Sequence, residues 1–295
     1  MISVVLPCFN EEASIQKNID SIKKELDTYG KDYEIIVVDD GSNDNSQEKL
    51  KNFDIKIVKH PHNIGYGAAL KTGIKNARFD TIVISDIDDS YPSKHISELL
   101  NIYFESLKSS SGYDMVVGAR KGKEYYGSFF KFVFRKLLKF LVQWTTGRKI
   151  VDVNSGLRVF SKKTINPFLP HLCNTFSFTT SLTLAYMLNT KFVKYHPIKY
   201  EVRTGKSHVK IFRDSLRTLQ YITEAIIYYN PLKLFLLFFI FFIIASIILL
   251  FLNLNNPSTI YIFFSGFSFM LSFISLFFGF LLDLIRQNSN KKNDE

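Results

Sequence analysis

Thr81-Ile82-Val83-Ile84-Ser85-Asp86-Ile87-Asp88 joins a short run of strand-favouring residues to two carboxylates one residue apart. Thr81 to Ile84 reads as a buried strand, and acidic residues at the carboxyl end of such a strand stand at the crevice where open α/β sheets bind ligands. Along an extended segment, alternate aspartates would face opposite ways. At a strand end the chain turns, so that one carboxylate can take a hard divalent ion and the other can meet the ligand. An acidic pair in an ordinary loop has the same appearance, and the surrounding sequence has to decide between them.

Outward from this stretch, strand-like runs at Ile2 to Leu6, Glu34 to Val38, Ile55 to Val58 and Met115 to Val117 alternate with helical stretches. The pattern predicts an α/β domain over residues 1–230, a mainly parallel sheet covered by helices on both faces. About 230 residues suffice for one full core. After Asn230 the composition changes to two uncharged apolar stretches, 234–252 and 260–282, joined by Asn253 to Thr259. Each is long enough to cross a bilayer core of ~30 Å at ~1.5 Å per residue, so 231–285 reads as a two-helix transmembrane hairpin. A pair of buried core helices is the alternative, but soluble helices rarely lack a polar face. Lys233 precedes the first stretch, Arg286, Lys291 and Lys292 follow the second, and the joining turn has no Lys or Arg. The positive-inside rule therefore predicts a cytoplasmic amino-terminal domain and a cytoplasmic tail at 286–295 in a multi-pass protein of the plasma, inner or ER-type membrane.

Met1 leads straight into a strand-like run with no basic n-region, the reading of a domain that is not secreted. The two cysteines, Cys8 and Cys173, argue against a disulfide framework or a thiolate zinc site. The formal charge of +10 calls for an anionic partner. Lys131, Arg135 and Lys139 recur at intervals of four in the helical stretch 127–144, and Lys210, Arg213 and Arg217 share a face in 208–229. Beside Phe and Leu, such stripes suit a membrane surface with phosphate headgroups, although two helices packed on the sheet with solvated edges carry the same pattern. Cations beside apolar helices, away from stacking aromatics, argue against nucleic acid.

Other strand ends carry further candidates. Pro7-Cys8-Phe9-Asn10-Glu11-Glu12 enters a helix running to about Tyr29, which leaves Phe9 and Glu11 on the crevice side. Asp39-Asp40-Gly41-Ser42 follows the second strand, where an acidic side chain accepts hydrogen bonds from ribose or base, or where a simple turn leads to a helix cap. His60 to Gly67 is a loop whose glycines permit close approach to a ligand, and its spacing matches neither the Walker nor the Rossmann pattern. His60 and His62 lack the neighbours a metal pair would need.

Taken together, Pro7 to Glu12, Asp39 to Ser42, Asn63 with Gly65-Tyr66-Gly67-Ala68-Ala69-Leu70, Asp86-Ile87-Asp88, Asn154-Ser155-Gly156-Leu157-Arg158 and Arg203-Thr204-Gly205-Lys206-Ser207 resemble, in order and spacing, family-2 glycosyltransferases. The chain is most similar to the polyprenyl-phosphate group, which contains dolichol-phosphate mannose synthase and the undecaprenyl-phosphate sugar transferases. The resemblance covers nearly the whole chain. It implies a glycosyltransferase A-type fold that binds a nucleotide sugar, UDP-glucose- or GDP-mannose-like, with Mg²⁺ or Mn²⁺, and passes one sugar with inversion to a dolichyl or undecaprenyl phosphate. Carried over, Pro7, Phe9, Glu11 and Asp39 hold the nucleoside, Asp86 contacts nucleotide or sugar, and Asp88 binds the metal. Ser90 stands at a further metal-side position that is Gln or Thr in many relatives. Arg120, Arg203 and Lys206 match basic positions toward the diphosphate, and Lys131, Arg135, Arg203, Ser207 and His208 stand on the acceptor-phosphate side, His208 at a place where relatives often have Lys. Asp152 either orients acceptor or sugar hydroxyls or is a turn residue. A homo-oligomer is implied only by analogy.

Two other readings compete. A glycosyltransferase acting on another lipid or on a polysaccharide is one, although the Gln-x-x-Arg-Trp element of processive synthases is absent around Val142-Gln143-Trp144-Thr145. The second is a non-catalytic, membrane-anchored partner that binds sugar nucleotides, against which stand the intact Asp86, Asp88, Arg135 and Arg203.

Overall fold

The computed structural model describes residues 1–109, 112–121, 129–202, 219–220, 223–224, 226–228 and 230–293, with backbone alone for 129–135, 137–138 and 289–293. The chain forms two compact units, Met1–Tyr221 and Ile222–Glu295. The first holds a seven-stranded sheet in the order β3-β2-β1-β4-β6-β5-β7. Its strands are β1 (Ile2–Cys8), β2 (Tyr33–Asp39), β3 (Lys56–Lys59), β4 (Thr81–Ile84), β5 (Met115–Lys121), β6 (Arg158–Ser161) and β7 (Val193–Lys199). All neighbours run parallel except β6, which is antiparallel to both β4 and β5. This is a mixed, mostly parallel α/β sheet, as the resemblance implies.

β1, β2, β4 and β5 carry mainly apolar runs because helices cover both faces. Successive residues of β1 go to opposite layers: Ile2, Val4 and Leu6 pack with Ile15, Ile19, Ile22 and Leu26, whereas Val5 packs with Leu70, Ile74 and Phe178. The first layer draws on α1 (Ile15–Tyr29) and α4 (Lys94–Ser106); the second draws on α3 (Tyr66–Asn76) and α7 (Phe178–Leu188). Between them in sequence lie the short α2 (Ser46–Leu50), α5 (Phe129–Thr146) and α6 (Lys162–Ile165).

The strand order reverses at β1: β2 and β3 add on one side, and β4 is laid on the other. The carboxyl ends of β1 and β4 therefore flank the switch point at which open α/β sheets take ligands. Asp86 follows β4 there, and Phe9 follows β1.

Two strands depart from the expectation. β6 has Arg158 at its start, and the edge strand β7 reads Val-Lys-Tyr-His-Pro-Ile-Lys; neither looks apolar, and an edge tolerates Pro197. In α5, Val142 and Thr145 are buried while Lys136 and Phe140 face outward. The Lys139 ammonium donates to the carbonyl of Val151 at 3.4 Å. Lys131 and Arg135 lie on this helix, but their side chains are outside the described residues, as are Arg203, Lys206, Ser207, His208 and most of 208–229.

The second unit contains α8 (Pro231–Asn255) and α9 (Thr259–Asn293), which pack on each other. Asn230 caps α8 by accepting the Lys233 N–H, and Pro231 occupies the first turn, where its missing N–H costs nothing. Both helices are long and apolar enough to cross a membrane, and their outer surfaces are exposed Phe, Ile and Leu. Inside the pair, the Ser246 and Ser265 hydroxyls lie 3.0 Å apart, and Ser265 also donates to the Ser246 carbonyl.

Candidate active site

The loops after β1 and β2 are laced together. Ser42 Oγ accepts the N–H of Asn10, Ser46 Oγ that of Glu11, and Asp44 Oδ2 that of Glu12, while Asn10 Oδ1 accepts the N–H of Asn43. Ser42 and Asn43 thus bind the first loop and do not cap a helix; α2 begins only at Ser46. Asp39, 1 % exposed, accepts the Ser42 N–H at Oδ1, and its Oδ2 is buried without a hydrogen-bond partner. An orphaned carboxylate oxygen at a strand end is costly unless a ligand supplies the missing donor. Pro7 is buried within β1 and Glu11 is buried just beyond it, with Phe9 half-buried between them.

Asp40, next to Asp39, has a different task. Its carboxylate accepts the N–H groups of Ile64 and Gly65 and a 2.7 Å contact from His60 Nδ1, and His60 Nε2 is 2.9 Å from Thr72 Oγ1. Both imidazole nitrogens are taken, so His60 organises the loop. The glycines of this loop also serve the protein's own backbone: a Cβ on Gly65 would fall 2.4 Å from the Asn174 carbonyl oxygen, and one on Gly67 2.2 Å from that of Cys173. The close approach these glycines make within the protein is to the segment before α7.

After β4 the carboxylates separate. Asp86 is half-buried; its Oδ1 accepts the Tyr66 hydroxyl at 2.8 Å, and its Oδ2 lies where a Cβ on Gly156 would be only 2.7 Å away. Burial, and then the adjacent Asp86 charge, push the Tyr66 phenol well above its ordinary range, so it stays a donor. Asp88, 7 % exposed, accepts both the N–H and the hydroxyl of Ser90 at Oδ1. Asp89 turns away with φ +62°, and its carboxylate meets Lys17 at 3.3 Å and Asn18 at 3.2 Å. Among the described residues no group of three His, Cys, Asp or Glu side chains is placed to hold a metal ion. Asp88, with the Ser90 hydroxyl beside it, fits a small divalent ion of the kind held by one or two carboxylates and completed by phosphate oxygens and water.

Arg120, at the end of β5, grips Asp152 with two hydrogen bonds, and Asp152 also accepts the backbone N–H groups of Arg120 and Asn154. Burial alone would raise the Asp152 pKa; the Arg120 charge and the hydrogen bonds outweigh it and hold the carboxyl below its ordinary value. The guanidinium also lies 5.3 Å from the ring centre of Tyr200, which meets Tyr91 edge-on. The Tyr91 hydroxyl accepts the N–H of Gly156 at 2.7 Å. Beneath this loop Arg158 is wholly buried and donates to the carbonyls of Val153 and Ser155 and to Thr183 Oγ1.

The structure therefore brings Asp86, Asp88 and Ser90 onto one loop, with Asp39, Glu11 and Phe9 at the neighbouring strand ends. Tyr91 lies outside every motif of the sequence, and Tyr66 and Gly156, though inside quoted motifs, show their roles only through contacts with residues at least 20 positions away.

A family model described as glycosyl transferase family 2 matches residues 3–166, more than half of the chain. The chain belongs to glycosyltransferase family 2. The glycosyltransferase is also similar in structure to glucosyl-3-phosphoglycerate synthase from Mycobacterium tuberculosis. In complex with phosphoglyceric acid, that protein superposes with a TM-score of 0.61 at 21% identity, over 76% of this chain and 79% of the other. In complex with Mn²⁺, UDP-glucose and phosphoglyceric acid the TM-score is 0.60, again at 21% identity and 76% and 79% coverage. A further structure, described as a mycobacterial protein, matches with a TM-score of 0.61 at 20% identity over 76% and 74% of the two chains.

Proposed function

We propose that this glycosyltransferase moves one sugar from a nucleotide sugar to a polyprenyl phosphate at the cytoplasmic face of a membrane, with inversion and with a divalent ion. The observation that carries the lipid acceptor is the pair of long apolar helices α8 and α9 on a chain whose other unit is a family 2 catalytic domain.

On the donor side, the unpartnered Asp39 Oδ2 fits an N–H or O–H of base or ribose, with Pro7, Phe9 and Glu11 beside it. Asp86 meets the nucleotide or sugar, and Asp88, with Ser90 next to it, holds Mg²⁺ or Mn²⁺. The ion, when bound, offsets the charge of the leaving nucleoside diphosphate. Arg120, held by Asp152, faces the diphosphate together with Arg203 and Lys206, while Lys131, Arg135, Ser207 and His208 receive the acceptor phosphate. A phosphate monoester with a second pKa of ~6 is already ionised at neutral pH, so its oxygen needs no general base to attack the anomeric carbon. The protein's task is to position two anions and screen their repulsion. The Mn²⁺ and UDP-glucose bound by the solved neighbour support this donor class.

That neighbour's phosphoglyceric acid favours a second reading, a small soluble acid as acceptor. One experiment separates the two. Membranes containing the full chain are incubated with labelled UDP- and GDP-sugars and Mg²⁺ or Mn²⁺, with and without added phosphoglyceric acid. Acid-labile label in the organic phase is the expected result. Label that appears only in water, and only with phosphoglyceric acid, overturns the lipid reading, and acid-stable lipid label points to a different glycolipid.

A further inference from the structure

The loop from His60 to Gly67 is built with more care than a connection between β3 and α3 requires, and what it fixes is Tyr66. Asp40 accepts the N–H groups of Ile64 and Gly65 on one side, and the Asn174 carbonyl accepts the N–H of Ala68 on the other. Lys71, one turn further along α3, donates to the Leu172 carbonyl and to Asn174 Oδ1. Glycines at 65 and 67 let the first turn of α3 press directly on 173–174, where any side chain would collide with backbone. The Tyr66 ring then stacks on Phe176, with centroids 5.5 Å apart and planes 16° from parallel. Its hydroxyl reaches Asp86 Oδ1, while Gly156 closes against Oδ2. A half-buried carboxylate after a strand end has rotamers to choose from; this one is held between a phenol and a glycine face.

We propose that Tyr66 is a positioning residue of the donor site: its hydroxyl holds the Asp86 carboxylate in the orientation that receives the nucleotide sugar. This rests on the reading that Asp86 touches the donor. Tyr66 acts through Asp86 and need not touch the ligand itself. The proposal also explains the Gly-Tyr-Gly sequence, in which the glycines serve to carry the tyrosine.

The test uses full-length protein in detergent, with UDP-glucose and GDP-mannose, each with MnCl₂, as probes, the tighter being kept for the titrations. Tyr66→Phe keeps the stack and removes only the hydroxyl. It should weaken nucleotide binding about tenfold while leaving the melting temperature nearly unchanged, the size of a lost hydrogen bond to a charged group. In an Asp86→Ala background the same substitution should have almost no further effect, because two residues acting as a unit are not additive. Tyr66→Phe that binds as wild type, or that loses as much affinity with Asp86 absent as with it present, overturns the proposal. If Tyr66→Phe also lowers the melting temperature, Phe176→Leu loosens the stack but keeps the hydroxyl. Equal loss of affinity in those two variants means that packing, not the hydrogen bond, is responsible, and overturns it too. If Asp86→Ala alone binds as wild type, the donor site itself is misassigned, a failure distinct from that of Tyr66.

Discussion

Arg120 Nε donates to Asp152 Oδ2 at 2.8 Å and Arg120 Nη2 to Asp152 Oδ1 at 2.9 Å, a fork-on-fork pair in which both side chains are largely buried. Removing one partner strands the other charge away from water. Asp152→Ala should destabilise the domain by about 3–5 kcal/mol in denaturant unfolding, more than an exposed pair would. Because the folded Asp152 pKa lies below its ordinary 3.8, its contribution is present above that value and lost as pH falls through the folded value. Wild type should therefore lose stability to acid below about pH 4 more steeply than Asp152→Asn.

Asp88→Asn removes the charge but not the shape. Sugar transfer should fall by about a hundredfold or more, and EDTA should abolish the wild-type activity, with Mn²⁺ or Mg²⁺ restoring it. Ser90→Ala removes only a hydroxyl from Asp88 Oδ1, with an expected loss of a few-fold, about 1 kcal/mol. Metal titrations of transfer activity measure both.

Gly156→Ala places a methyl group 2.7 Å from Asp86 Oδ2. Asp86 must move or the loop must shift, and a displacement of this order costs about tenfold or more in turnover. Donor titrations should show the defect, with circular dichroism unchanged.

Arg158→Met should be among the most damaging substitutions in the chain. It leaves the Val153 and Ser155 carbonyls and Thr183 without their buried donor, at an expected cost of about 3–5 kcal/mol in chemical denaturation.

The full chain should stay with membranes through alkaline carbonate washing, as spanning helices do, and be released by detergent. Recovery in the carbonate supernatant would show that α8 and α9 do not span.

Much of this architecture is legible without coordinates. Thr81 to Ile84 is a strand with those same ends, and β1, β2 and β5 sit within a few residues of their apolar runs, because burial on both faces leaves no room for polar alternation; β3, an exposed edge strand, shows only through its Ile57-Val58 pair. β6 and β7 escape for a physical reason: one begins on a buried arginine whose charge is met by carbonyls, and the other is an edge with lysines and a proline. The carboxylates after β2 and β4 are visible as candidates, yet nothing local separates Asp39, with an oxygen to spare, from Asp40, which is committed to the His60 loop. Likewise nothing local shows that Asp89 is turned toward Lys17 and Asn18.

The antiparallel β6 has a consequence for the order of assembly. β4 and β5 never touch as sheet neighbours; β6 lies between them, with Ile84 opposite Arg158 and Val117 opposite the same residue. A nascent chain ending before residue 158 has β1 to β5 but a gap between β4 and β5, in the middle of its sheet. Pairing across some 70 residues is slow. Capacity to take a nucleotide should thus appear late during synthesis, when β6 slots in, and a half-made enzyme has no means of holding donor at the wrong time.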